Sequence, residues 1–449
     1  MIKSPGHTSI QNPETPERRT LFVSIALLAF LFFVIGFVSW VNSILIPYFK
    51  LAFGLSNFRA YLVTFAFYIS YFVMSMPAAE LLKRTGFKKG IQWALSIMSL
   101  GAFVFVPAAY LESYPVFLCG LFIMGTGLSV LQTAANPYLT LMGPRERAAQ
   151  RISIAGIFNK GAGIFAPLIF AAVILKPADT GLFKQLDSFT AVEKAAALAE
   201  LLRRVIIPYS VVGAILFLAG IGINKSALPD IHTDSEGAEP GNTPAKRKSI
   251  WQFPYLVLGA IAIFVHVGSQ VIAIDTIIGY ANSMQLSLSE ARTFPSYTLF
   301  ATICGYIIGI VCIPRYISQL TALRLAIFTG ILFSCCILFI SGNTGFLNHH
   351  VDRSIWFVVL LGLSNSLVWP GIWPLALHKL GRFTKKGASL LIMGLAGNAI
   401  LPTVYGYFAD QYGLRQAYIV LLPCYLYLLF YSFIGYKIES WKPKTMQPG

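Results

Sequence analysis

The amino-acid sequence predicts an all-α membrane protein with twelve transmembrane helices in two six-helix halves. Three observations carry this prediction: a strongly apolar composition, twelve apolar stretches long enough to cross a bilayer, and one polar segment midway along the chain. Of the 449 residues, 56% are hydrophobic and only 12% are charged, whereas a soluble domain carries about 25% charged residues. Most of this chain therefore faces lipid rather than water.

The apolar stretches have the length that a membrane-spanning helix needs, which is about 20 residues. Gly and Pro within them are tolerated because neighbouring helices bond the freed backbone groups. The loop at 176–204 has a helical composition and is predicted to hold a short surface helix. In chain order, the predicted spans 1 to 12 are Leu21–Phe49, Ala60–Ala79, Gly90–Leu111, Ser113–Pro144, 152–175, 205–224, 252–282, 293–314, 325–341, 354–378, 387–409 and 416–436.

A polar segment between spans 6 and 7 divides the chain. It contains Gly-Ala-Glu-Pro-Gly-Asn-Thr-Pro and a basic run, a composition typical of linkers. A gap-free match of 129–137 in span 4 to 366–374 in span 10 indicates a weak internal repeat, and transporters built from repeats bind substrate near the midplane. The predicted organisation is a cytoplasmic tail at 1–20, a first half at 21–224, a cytoplasmic linker at 225–250, a second half at 251–437 and a cytoplasmic tail at 438–449.

The basic residues set the orientation of the chain in the membrane. The net charge is +16, from 34 Lys and Arg against 18 Asp and Glu. With the N-terminus inside, the cytoplasmic loops and tails hold 23 of the basic residues and the outer loops hold 10, as the positive-inside rule requires. Both termini are therefore predicted to be cytoplasmic, in a bacterial inner membrane. Because the basic residues lie in short loops rather than in a folded basic domain, no binding to nucleic acid is expected.

No motif indicates an enzyme, a metal site or a disulfide framework. The sequence has no Walker loop, GxSxG or HExxH motif, so neither ATP-driven transport nor the corresponding hydrolytic chemistry is expected. The six cysteines lie in apolar stretches without CxxC spacing, which is typical of small core residues. We expect the protein to be a monomer in a lipid bilayer and to bind no cofactor and no metal.

Two residues with formal charges lie inside the predicted spans, Lys160 in span 5 and Asp275 in span 7. Ionisable residues inside a membrane are costly and are functional candidates by default. Two simpler roles stay open, since Asp275 could be solvated near the outer mouth and Lys160 could reach the cytoplasmic headgroups. We assign both residues as candidates for coupling transport to a proton or a sodium ion.

Neutral polar and aromatic residues from both halves form a candidate substrate site. Amides donate and accept hydrogen bonds at once, which suits a ligand covered with hydroxyl groups, and flat aromatic rings suit the C–H face of a pyranose. The alternative for any single amide is a bond across a helix interface. The candidates for substrate binding are Asn42, Gln132, Asn136, Asn159, Gln270, Asn365, Trp369, Trp373 and Asn398.

Three short segments resemble the fucose–galactose–glucose:cation symporters of the major facilitator superfamily. They are Asn42-Ser-Ile-Leu-Ile-Pro47, Gln132-Thr-Ala-Ala-Asn-Pro137 and Phe158-Asn159, and the resemblance extends over essentially the whole chain. The segments 271–280 and 367–374 are similar to the bacterial glucose/galactose branch. The resemblance implies a major facilitator fold and a sugar permease that imports a neutral hexose by alternating access. Glucose, galactose, mannose or an N-acetylhexosamine would all fit.

Two departures from the family pattern concern the coupling ion. The L-fucose:proton symporters carry an Asp after the span-1 Asn and a Glu before the Thr-Ala-Ala-Asn-Pro run, where this chain has Ser43 and Gln132. Relatives in the glucose branch commonly carry Glu where this chain has Gln270. Cation-coupled symport would therefore depend on Asp275, and uniport stays an alternative. Two other functions stay open: a drug or metabolite exporter, to which Gly161–Pro167 in span 5 points, and a non-transporting sugar sensor.

Overall fold

The protein is almost entirely helical over the residues that the computed structural model describes, which are 18–141, 148–174, 189–226, 249–313, 315–347, 349–380 and 383–441. Most of the predicted tails and of the predicted linker lies outside these residues. Within them, twelve helical segments are long and apolar enough to cross a membrane, which confirms the predicted spans. Spans 1 to 12 are observed at Ala26–Phe53, Leu62–Leu82, Lys88–Tyr110, Tyr114–Ala135, Ala155–Ile174, Val192–Lys225, Pro254–Asp275, Leu288–Cys312, Gln319–Phe339, Ser354–Leu377, Ser389–Tyr412 and Gln416–Lys437.

Individual helices and spans do not coincide everywhere. Spans 2 and 3 are two helices within the segment Leu62–Tyr110, and they meet at a kink at Gly86, where φ is 77° and ψ is 171°, a conformation that glycine adopts without steric cost. The α-helices are Arg18–Trp40, Asn42–Phe53, Asn57–Ala60, Leu62–Tyr110, Tyr114–Leu141, Ala148–Ile174, Ala191–Arg204, Ile206–Lys225, Pro254–Asp275, Ile277–Ser283, Leu288–Ala291, Phe294–Cys312, Gln319–Phe339, Ser354–Ser366, Val368–Leu377, Thr384–Met393, Gly397–Tyr412 and Leu421–Phe433. Short 3-10 helices occupy Ile250–Gln252, Gly394–Ala396, Gln416–Val420 and Gly435–Lys437.

Val41, Thr276 and Leu367 each separate two consecutive helices. All three residues nevertheless keep right-handed helical φ and ψ angles. Hydrogen bonds of the helical type continue past them, for example from the backbone N of Leu45 to the carbonyl oxygen of Val41. The neighbouring candidates Asn42 and Asp275 therefore lie on helical backbone.

Two small elements lie outside the predicted spans. The predicted surface helix is confirmed at Ala191–Arg204, where it begins the helical segment that continues to Lys225. Its first turn is closed by a reciprocal pair of hydrogen bonds between Thr190 and Glu193, the arrangement of a capping box. A two-stranded antiparallel hairpin, Asn343–Phe346 with His349–Asp352, precedes span 10. The hairpin was not predicted, because its strands are only four residues long.

The two halves pack through span 2 against span 11 and through span 5 against span 8. In the described part of the chain, the hydrogen bonds that we find between the halves lie between the middle of the spans and the outer side, which is extracellular in the predicted orientation. On span 7, for example, Gln270 and Asp275 lie about 24 and 32 Å from the inner end, at 1.5 Å per residue. The bonds join Asn57 and Phe58 to Asp410, Thr64 to Asp275, Lys160 to Gln270, and Ser296 to Ile164. The protein is therefore held closed on its outer side.

Candidate functional site

Lys160 of span 5 reaches across the interface between the halves. Its side chain is buried, and its Nζ lies 3.2 Å from Oε1 of Gln270 in span 7. The same ammonium lies 4.2 Å from the centre of the Trp40 ring in span 1, and an aromatic face attracts a cation at that range. In this structure, Lys160 therefore does not extend towards the cytoplasmic lipid headgroups, which was the alternative role considered for it.

Asn159, the neighbour of Lys160, joins span 5 to span 1. Its Oδ1 accepts a hydrogen bond of 3.4 Å from Nε1 of Trp40, and its Nδ2 donates to the carbonyl oxygen of Phe32 at 3.4 Å. The two spans touch closely here, since a Cβ at Gly36 would lie 2.0 Å from the carbonyl oxygen of Asn159. Asn159 therefore positions the Trp40 ring beneath the ammonium, as well as remaining a candidate for substrate binding.

Gln132 of span 4 is oriented by span 2. Its Nε2 donates a hydrogen bond of 2.8 Å to the hydroxyl of Tyr71, which is buried. The Gln132 side chain is half-buried, and its Oε1 has no hydrogen-bond partner among the described residues. Such an oxygen can accept a hydrogen bond from a sugar hydroxyl. The side chain of Asn136, one turn further along span 4, lies outside the described residues.

Four other candidates contain buried polar atoms without a hydrogen-bond partner in the described part of the chain. These atoms are both amide atoms of Asn42, Nδ2 of Asn365, Oδ1 of Asn398 and Nε1 of Trp373. The other amide atom of Asn365 is engaged, since its Oδ1 accepts a hydrogen bond of 2.9 Å from Tyr425. An unpaired buried polar group costs about 1–3 kcal/mol. A ligand rich in hydroxyl groups would pair these atoms and remove that cost.

The aromatic candidates Trp369 and Trp373 form a pair on span 10. Their ring centres lie 5.4 Å apart with an angle of 50° between the planes, and both side chains are half-buried. Span 10 packs against span 7, which also contributes Gln270. The pair offers apolar faces of the type that packs on the C–H face of a pyranose.

Asp275 is buried beneath the closed outer side. Only 1% of its surface is exposed; its Oδ2 accepts a hydrogen bond of 3.4 Å from Thr64 of the other half, and its Oδ1 has no partner among the described residues. The carboxylate lines a small crevice together with Lys50, Asn57 and Tyr61. In this conformation Asp275 is therefore not a solvated residue at the mouth, and its contacts depend on how the halves meet.

His266 is a buried ionisable residue of span 7 that is absent from the sequence-based candidates. It is 1% exposed, and its Nδ1 has no partner in the described part of the chain. It precedes Gln270 by four residues, so both side chains share one face of the helix. The signal was present in the sequence, because a histidine inside an apolar stretch is polar even when uncharged. Counting only formal charges misses it.

Asp410, at the outer end of span 11, joins the two halves. Its Oδ1 accepts hydrogen bonds from the backbone N and Nδ2 of Asn57, both at 2.8 Å, and its Oδ2 accepts one from the backbone N of Phe58 at 2.8 Å. We call these three bonds the outer latch. The backbones approach closely beside it, since a Cβ at Gly406 would lie 3.1 Å from the carbonyl oxygen of Asn57 and 3.1 Å from Cα of Phe58. Asp410 was missed because the predicted span 11 ends one residue before it.

Comparison with known proteins supplies relatives for the whole chain. The family model of the Major Facilitator Superfamily matches residues 28–396. A glucose/galactose transporter of Brucella abortus is 34% identical over 438 residues, which cover 97% of this chain and 98% of that protein. An L-fucose-proton symporter of Escherichia coli is 29% identical over 447 residues, which cover 97% of this chain and 99% of that protein.

Solved structures share the fold. FucP, a major facilitator transporter in the outward conformation, matches with a TM-score of 0.67 at 27% identity, over 92% of this chain and 99% of that chain. A bacterial homologue of the human lysosomal transporter Spinster, in an inward-facing and occupied conformation, matches with a TM-score of 0.66 at 17% identity, over 96% of this chain and 100% of that chain. The second likeness concerns the fold alone. The predicted fold and family are confirmed.

Proposed function

The chain belongs to the Major Facilitator Superfamily, and we propose that it is a monosaccharide permease that imports a hexose of the glucose/galactose type by alternating access. The observation that carries the proposal is the set of buried, unpartnered amide atoms from both halves, at Asn42, Asn365 and Asn398. The hydroxyl groups of a hexose donate and accept, so they can pair such atoms. The relative from Brucella abortus, named a glucose/galactose transporter, supports this substrate class.

Transport follows from movement of the two halves around a site between them. The outer latch on the outer side and the contact of Lys160 with Gln270 nearer the middle of the spans hold the halves together. Opening that side separates these groups and admits the sugar, whose hydroxyl groups then bond to amides of both halves. A ligand shifts the balance between two conformations only by binding one more tightly than the other. Contacts with both halves supply that difference, because their spacing changes as the halves move.

We assign coupling to a proton or a sodium ion to Asp275, with Lys160 as a second charged group in the spans. The Asp275 carboxylate is bonded across the interface to Thr64 while the outer side is closed. Its surroundings therefore change when the halves separate, which is what coupling requires of an ion-binding group. The positions that carry acidic residues in the L-fucose branch are the neutral Ser43 and Gln132 here, which supports this assignment.

The protein is a multi-pass membrane protein, and we place it in the bacterial inner membrane as a monomer with both termini in the cytoplasm. The excess of Lys and Arg in alternate loops supports this orientation. The bacterial transporters that match nearly the whole chain support the location.

Counterflow in proteoliposomes tests the proposal. The purified protein is reconstituted, the liposomes are loaded with unlabelled D-glucose or D-galactose, and uptake of the same labelled sugar is measured. We expect exchange well above that of protein-free liposomes, competed by hexoses and not by a lipophilic cation. Binding of labelled sugar without exchange would indicate a sensor. Exchange of the lipophilic cation alone would indicate an exporter, and either result contradicts the proposal.

A further inference from the structure

Lys160 is a buried basic side chain that no carboxylate contacts in the described part of the chain. Only 7% of the residue is exposed, and its partners are the amide oxygen of Gln270 at 3.2 Å and the ring of Trp40 at 4.2 Å. Both partners are neutral. Charges that are removed from water are normally paired with an opposite charge, because the cost of burial is otherwise not offset. The site between spans 5 and 7 therefore favours a ligand that brings a negative charge.

The nearest intramembrane acid along span 7 does not serve as this counter-ion. Asp275 follows Gln270 by five residues, which is about 7.5 Å along the helix axis. Its Oδ2 accepts the hydrogen bond from Thr64, and the carboxylate faces the crevice that Lys50 also lines. Among the described residues, Asp275 bonds to Thr64 and Lys160 bonds to Gln270, and no ion pair joins the two charged side chains.

The hydrogen-bond capacity around Lys160 also favours an anion. An ammonium group has three N–H donors, and one of them is used on Gln270. The Nε2 group of Gln270 has no partner among the described residues, and it is bonded to the same carbon as the oxygen that faces Lys160. Free donors of both side chains therefore lie within a few ångströms of each other. A carboxylate accepts several such bonds with its two oxygens, and its charge strengthens them.

We propose that Lys160 and Gln270 bind the carboxylate of a hexuronate, a hexose oxidised to a carboxylic acid at C6, so that this permease prefers anionic hexoses to their neutral parents. The inference rests on the proposed function, because the sugar ring of a hexuronate would occupy the same amide site as a hexose. Lys160 is then a residue that determines specificity. Its charge is compensated only when the anionic substrate is bound.

Competition binding on the full-length protein in detergent tests this inference. Labelled D-galactose or D-glucose is displaced by the same unlabelled hexose or by the corresponding hexuronate, and the ratio of the two half-displacing concentrations is measured. In the wild type, we expect the hexuronate to act at a concentration at least tenfold lower than the hexose. Lys160→Met should remove this advantage, and Lys160→Arg should retain it because the positive charge is kept. Lys50→Met, which removes a lysine from the outer crevice, is the matched control and should leave the ratio unchanged.

The outcomes separate the inference from the function on which it rests. Displacement by hexuronate that is equal to or weaker than that by hexose in the wild type would overturn the inference, even if no variant could be purified. A ratio that stays the same in Lys160→Met would overturn the assignment to Lys160. Absence of binding and of counterflow for both the hexoses and the hexuronates would instead contradict the proposed function itself.

Discussion

Removing the outer latch should shift the protein towards an outward-open conformation. Asp410→Ala deletes the acceptor of three hydrogen bonds of 2.8 Å that join span 11 to Asn57 and Phe58. Because the site is exposed to solvent, we take about 0.5–1 kcal/mol for each bond, at the lower end of the usual range. The sum of about 1.5–3 kcal/mol corresponds to a change of about 10- to 150-fold in the ratio of open to closed protein.

Thiol accessibility measures this shift. Ala60, which is fully buried and lines the outer crevice, is replaced by Cys in the wild-type protein and in Asp410→Ala. The rate of labelling by a membrane-impermeant maleimide added from outside is then measured. Labelling of the native cysteines is measured in the matching protein that lacks Ala60→Cys, and is subtracted. The labelling rate should rise in Asp410→Ala by a factor within the range worked out above, as long as reclosing is faster than the chemistry.

A second outer aspartate provides the control. Asp352 accepts hydrogen bonds from the backbone N of Gly342 and of Ser354, all within the second half. Asp352→Ala therefore removes bonds of the same kind without touching the interface, and the labelling rate at Ala60→Cys should stay at its parental value. A rate in Asp410→Ala that lies within twofold of the parent would refute the reasoning, because the latch would then contribute nothing to closure.

Two further predictions concern coupling and packing. In Asp275→Asn, sugar should still equilibrate by counterflow but should no longer accumulate against a gradient, because the variant lacks the carboxylate whose surroundings change between the two conformations. Undiminished accumulation in energised vesicles would show that the coupling group is another residue. Gly36→Ala should lower the melting temperature of the purified protein, since the new Cβ would lie 2.0 Å from the carbonyl oxygen of Asn159 and overpacking costs about 1–3 kcal/mol. Gly156→Ala, whose Cβ would meet no described residue within 4 Å, should not lower the melting temperature, and an equal decrease in the two variants would contradict this account of the span 1–span 5 contact.

The spans could be predicted from the sequence because each is a separate apolar stretch of the required length. Span 7, for example, is observed at Pro254–Asp275, inside the predicted 252–282. The packing of the spans could not be predicted, because contacts such as those of span 2 with span 11 join residues that are far apart in the sequence. A single stretch of sequence does not contain those contacts.

The candidate site could be predicted as a set of residues but not as a set of contacts. Lys160 and Gln270 were both candidates, yet their contact depends on how span 5 is rotated against span 7, which no local pattern specifies. The burial of Asp275 likewise depends on which side of the protein is closed. Asp410 lies beyond the predicted end of its span, where a charged residue normally indicates only a solvated loop. Asp410 joins the halves because Asn57 and Phe58 of the other half contact it, and this contact is not visible in the sequence.

A hexose that crosses the membrane through the polar site between the halves must contact that site during exchange. Counterflow of labelled D-glucose or D-galactose by the wild type and by Gln132→Ala, reconstituted in parallel, tests this most directly. Loss of the Gln132 amide leaves a sugar hydroxyl without its partner and should cost about 1–3 kcal/mol. We therefore predict saturable exchange by the wild type and a half-saturating concentration about 5- to 150-fold higher in the variant. Exchange by the wild type no faster than in protein-free liposomes, or an unchanged half-saturating concentration in Gln132→Ala, would contradict the account.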